Sequence, residues 1–179
     1  MVLVAGAAGV ATSYLQSVLP HLVASFANSA GSWCLVAWLL ARPRSRPARG
    51  AAAAVAALLV LVAGYYVTSD LRGFGVSPVS VGVWVAAAGL VGPPLGVGAV
   101  WSRTATGRRR VLGALVLPAL LVAEAAYGVL VVGSTTSTAY WLGEGAVGVL
   151  VAGVSLGPGR RHVSDPDDAV PGHDPVSVR

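Results

Sequence analysis

The chain has no lysine, one cysteine and little charge of either sign: charged residues are 11% of its 179 positions, and all 12 basic residues are arginine. So little charge cannot cover a water-exposed surface. With 55% hydrophobic residues and a mean hydropathy of +0.75, the composition excludes an ordinary soluble domain. The single Cys34 excludes an intramolecular disulfide and a cysteine-rich metal site, and its apolar surroundings predict a packed thiol. No HExxH pair, GxSxG elbow or helix-borne pair of aspartates is present, so no enzyme is expected and no cofactor is required. Neither the serines nor Cys34 has a base near it in sequence. The formal charge of +5 does not indicate nucleic acid, because the arginines stand in short clusters between apolar runs. Missing lysine beside abundant alanine, glycine, valine and proline reads as the signature of a GC-rich bacterial genome. The opening MVLVAGAAGV carries no basic residue ahead of its apolar run, so this segment is expected to remain as a first helix rather than act as a cleaved secretory leader.

What is present is a series of long apolar runs. The run from Val111 to Gly133, VLGALVLPALLVAEAAYGVLVVG, follows Arg108, Arg109 and Arg110. At ~1.5 Å per residue it reaches roughly 34 Å, enough to cross a hydrocarbon core of about 30 Å. Arginines at one end only place that end in the cytoplasm.

The same reading extends along the chain. Val2 to Leu19 forms a first helix with Ala5, Gly9, Ser13 and Ser17 on one face, a small-residue stripe that admits a close neighbour, and Pro20 ends it. The segment HLVASFANSAG reads as an outer turn and the polar start of a second helix, which continues to Ala41 and stops at RPRSRPAR. A third runs from Gly50 to about Ser69, with Tyr65 and Tyr66 suited to the outer interface. The loop SDLRGFGVSP follows it, where Gly73 and Gly75 permit a turn that brings Asp70 to Arg72; a solvated loop is the simpler reading.

The fourth helix, Val79 to Trp101, has Trp84 and Trp101 near opposite ends. Pro93 and Pro94 within it predict a kink or a break, and interrupted helices line binding sites in transporters. The sixth, Tyr140 to about Leu156, aligns Glu144, Gly148, Ala152 and Ser155 on one face. Residues 158–179 are rich in proline, aspartate and glycine and should be a disordered cytoplasmic tail, with no spacing that assigns a metal to His162 or His173.

The expected architecture is therefore an all-α membrane protein: a domain over residues 1–157 of six transmembrane helices in three hairpins, both termini cytoplasmic. Eleven arginines then lie on one side, and Arg72 alone on the other. The implied location is the bacterial cytoplasmic membrane, with the lipid bilayer as the constant partner and no nucleic acid.

A carboxylate within a membrane helix is costly and normally faces the bundle or water. Glu124 is therefore the leading candidate for ligand binding or proton handling, and Glu124→Gln is expected to keep the fold while impairing function. Glu144, Asp70, Asn28 and Tyr127 are the residues that could border the same outward crevice. Counting from the turn between their helices, Glu124 and Glu144 should differ in depth by roughly 8 Å, which argues against direct contact.

The stretches ASFANSAGSWCLVAWLLARP, AGYYVTSDLRGFGVSPVSVGVWVAAAGLVGPPLGVGAVW and LVAEAAYGVLVV resemble a family of uncharacterised small actinobacterial membrane proteins over most of residues 1–157. That resemblance implies a membrane fold and no activity. In layout the chain is also similar to the substrate-capture subunits of energy-coupling-factor vitamin transporters. Their first helix often carries Ala-x-x-x-Ala for docking to a transport partner, matched here by Ala7 and Ala11, whereas no vitamin-binding signature is found. Two function classes follow. One is a subunit that binds or transports a small solute; the other is a structural protein that assembles with other membrane subunits through its small-residue faces.

Overall fold

A computed structural model describes residues 1–20, 24–26, 29–132 and 137–156. The tail expected at 158–179, Asn28 and part of the turn expected at 134–139 lie outside the described residues.

The described chain is helical: α1 (Val2–Val18), α2 (Ala30–Ala41), α3 (Pro47–Leu71), α4 (Pro78–Thr104), α5 (Gly107–Tyr127) with a π-helical turn Gly128–Val132 at its end, and α6 (Thr138–Leu156). Residues 24–26 are helical as well. The boundaries follow local chemistry. Pro47 and Pro78 open α3 and α4 at positions where no N–H is needed, and the Ser77 hydroxyl accepts from Ser80 N–H to cap α4. Past the end of α3, Gly73 takes φ +81°. Its N–H bonds Asp70 O at 2.9 Å while Phe74 N–H bonds Ser69 O at 3.0 Å, the paired bonds of a Schellman ending.

Four of the helices, α3, α4, α5 and α6, are long and apolar enough to cross a membrane. The other two are apolar but shorter, with 17 residues in α1 and 12 in α2. At ~1.5 Å per residue α2 reaches roughly 18 Å, less than a hydrocarbon core of about 30 Å, so four of the six expected spans have the length to cross. For α2 the physical reason lies in the polar residues before it: Ser29 leaves helical geometry to cap α2, so the regular helix starts late.

Packing depends on small residues, as expected where lipid removes the hydrophobic drive between helices. Ala5, Gly9, Thr12 and Ser13 are the buried face of α1, and a Cβ on Gly9 would strike Leu61 O of α3. Gly50 and Gly96 bring α3 and α4 together so closely that a Cβ on either would meet the other's carbonyl. The core continues through Ala37, Ala54, Ala57, Leu61, Leu95 and Ala99. Cys34 is buried in it, as its apolar setting predicted.

The double proline does not divide α4. Pro93 and Pro94 sit inside one continuous helix, and Gly92 beside them lets Val55 of α3 approach, its Cα 2.9 Å from where a Cβ would stand. Of the kink or break expected from the pair, the break is absent, and the neighbouring Gly92 is a contact with α3.

The arginine clusters collect at one end of the bundle. Arg44 Nη2 lies 3.6 Å from Met1 Sδ, and Arg42, Ser102, Arg110 and Ser155 border one crevice. Arg72 is at the opposite end, where Trp33, Tyr65, Tyr66 and Trp84 form an aromatic cluster with ring centroids 5.0–5.6 Å apart.

Candidate ligand-binding site

The site forms because α2 begins inside the bundle. The first N–H groups of any helix lack helical partners, and where water is excluded something else must accept them. Here a carboxylate from α5 does so: Ala30 N–H donates to Glu124 Oε1 at 2.8 Å and Gly31 N–H donates to Glu124 Oε2. Gly31 N–H also reaches the Ser29 hydroxyl at 3.0 Å. That hydroxyl in turn donates to Glu144 Oε1 of α6 at 2.9 Å.

Glu124 and Glu144 thus meet on one helical turn. The depth difference read from the sequence does not separate them, because each carboxylate binds a different group of that turn. The π-helical turn after Tyr127 also winds additional chain into the stretch joining α5 to α6. Gly31 makes the meeting sterically feasible: a Cβ there would collide with Glu144 Oε1, lie 2.5 Å from Leu121 Cδ2 and 3.0 Å from Glu124 Oε2.

Beside this turn is a chamber of about 390 Å³ between α2, α5 and α6, walled by Leu35, Leu121, Val147, Phe26 and Gly143. Small-molecule sites are usually ~300–1,000 Å³ and mostly apolar with a few placed polar groups, and this chamber has that character. Ser32, Tyr140 and Glu144 supply its polar groups. Glu144 is only 9% exposed, and its Oε2 and the Tyr140 hydroxyl are buried with no hydrogen-bond partner among the described residues. The chamber's edge on α6 is fixed from behind, since Tyr140 packs edge-on against Trp141 at 4.8 Å and the Trp141 ring lies flat on the bare backbone of Gly128.

Of the other sequence candidates, Asp70 is exposed at the far end of α3 and Tyr127 is 58% exposed on α5. Neither lines the chamber. Asn28 lies outside the described residues. Arg72 does not turn toward Asp70. It reaches α1 instead, where its guanidinium donates to Ser13 O, to Ser13 Oγ at 3.1 Å and to Ser17 Oγ at 2.6 Å, and stacks 4.3 Å from the Tyr14 ring. A second crevice of about 380 Å³ lies next to it, lined in part by Gln16, Tyr65, Tyr66 and Phe74.

Compared with known families, residues 1–165 match the profile of a family of unknown function, DUF6518. The chain belongs to the DUF6518 family. The match spans all of α1 to α6, so membership covers the helices that build the chamber. No curated protein and no solved structure matches the chain.

In this DUF6518 protein, sequence reasoning alone reaches the two glutamates but misses Ser29, Gly31 and Tyr140 as parts of the same site. The available signal was the polar ANS segment: a serine just before a glycine and an apolar run is a helix cap, and a cap at membrane depth needs a partner from another helix.

Proposed function

We propose that this protein is a small-solute binding or transport subunit of the bacterial cytoplasmic membrane, with six helices in the membrane and the arginine-rich end in the cytoplasm. One observation carries the reading: a buried carboxylate, Glu144, borders an apolar chamber of ligand size and has one oxygen without a hydrogen-bond partner among the described residues. The geometry divides the two glutamates between tasks. Glu124 spends both oxygens on the α2 N-terminus and acts as a positioning residue, whereas Glu144 uses one oxygen on Ser29 and keeps the other unpartnered among the described residues. No chemical step is assigned to the chain.

The test is thermal unfolding of the purified protein against a broad panel of metabolites. A molecule that occupies the chamber at 100 times its Kd stabilises by ~2.7 kcal/mol, which raises the melting temperature measurably. Leu35→Trp, which fills the chamber from α2, should abolish that rise. A protein whose melting ignores the whole panel would instead favour the second reading, assembly with other membrane subunits. In its favour, α1 has an exposed outer face bearing Leu3, Val4, Ala7 and Ala11, the last two being the pair that resembles a docking motif.

A further inference from the structure

We infer that the chamber's ligand is an amphiphilic organic cation: a single ammonium-type group that pairs with Glu144, on an apolar body that fills the space between α2, α5 and α6. The inference rests on the solute-binding reading above and names its substrate class.

Three features of the site select this chemistry. The first is charge. Among the described residues Glu144 is the only charged one lining the chamber, and the arginines of the neighbouring elements, Arg42 and Arg110, border a different crevice at the other end of α2. An anion would be repelled by an ionised Glu144 and a neutral molecule gives that form no partner, while a cation both favours the ionised form and pairs with it. The second is hydrogen bonding. Glu144 Oε1 is held by the Ser29 hydroxyl, so the carboxylate is fixed in direction, and Oε2 and the Tyr140 hydroxyl on the same wall are unpartnered among the described residues. Both atoms are covered, so a cation's N–H group would reach them through a shift of the two side chains. The third is the remaining surface. Phe26, Leu35, Leu121, Ala139 and Val147 offer no oxygen ligands, so the chamber does not suit a hard metal ion, which needs six or more. It does suit hydrocarbon, whose burial contributes about 25 cal/mol per Å².

The experiment uses the full chain in lipid nanodiscs and three probes of nearly one shape: 2-phenylethylammonium, neutral 2-phenylethanol and anionic 3-phenylpropionate. Binding is followed by isothermal titration calorimetry, with empty nanodiscs as the partition control. The cation should bind saturably and at least about tenfold more tightly than the alcohol, and the acid should not bind. Glu144→Gln keeps an acceptor for Ser29 and should weaken the cation at least about tenfold while leaving the alcohol unchanged. Leu35→Trp should abolish binding of both. Should the alcohol bind as well as the cation, or Glu144→Gln leave the cation's affinity intact, the cation assignment falls while Leu35→Trp-sensitive binding keeps the chamber as a site. Should none of the three bind in a way that Leu35→Trp removes, the solute-binding reading is overturned with it.

Discussion

At the scale of single residues, the two glutamates differ in what an amide could replace. Glu124 accepts two backbone N–H groups, one on each oxygen. Glutamine has one acceptor oxygen, and its NH2 group would face an N–H donor across the other position. Glu124→Gln should therefore destabilise by roughly 1–3 kcal/mol, the cost of leaving a buried donor unsatisfied. Glu144→Gln loses no acceptor toward Ser29 and should melt close to the wild type. Thermal unfolding of the two purified variants side by side checks this, and equal melting would remove the capping role of Glu124. The sequence made both residues visible because a carboxylate in an apolar run is conspicuous. It also ranked Glu124 first for function and expected its amide variant to keep the fold, since nothing in the local sequence reveals that a distant helix starts at its carboxylate. The contacts of Arg72, read from the sequence as part of a solvated loop with a turn toward Asp70 permitted, were hidden for the same reason. Asp70 is near it along the chain, yet the serines of α1 are near it in space.

At the scale of elements, what holds helices together is where glycines let backbones approach. Gly96 of α4 is the sharpest case, because a Cβ there would overlap the Gly50 carbonyl and come within 2.6 Å of Ala51 N on α3, and backbone cannot swing aside. Gly96→Ala should cost about 1–3 kcal/mol from overpacking. Gly89→Ala, on the same helix with nothing within 4 Å, should be neutral or stabilise by up to ~1 kcal/mol through helix propensity. Unfolding curves for the pair should separate, and curves that coincide would show that the seam yields. Helix positions were largely readable from the sequence, since apolar length and the flanking prolines and arginines set them. The course of α4 through Pro93 and Pro94 was not, because whether a proline breaks a helix depends on what packs beside it. The late start of α2 was likewise hidden, its capping partners being supplied by α5 and α6.

For the whole molecule, the gathering at one end of every described arginine but Arg72, and of the three described carboxylates toward the other, gives the proposed topology a direct check. In intact cells, with Cys34 first replaced, a membrane-impermeant thiol reagent should label Gly75→Cys, in the loop after α3, and should spare Ser45→Cys among the arginines. The opposite pattern would invert the orientation. The seams also divide the bundle mechanically. Glycines bring backbone against backbone between α1 and α3, α3 and α4, α4 and α5, and α5 and α6. Gly31 of α2 meets only the tips of side chains, two of them carboxylates. α2 is packed in the core through Trp33, Ala37, Trp38 and Ala41, but its first turn is held by side chains, the carboxylates of two other helices. Ser29 joins the two, its hydroxyl donating to Glu144 and accepting from Gly31 N–H, so a displacement of Glu144 would be felt first at the cap of the short helix.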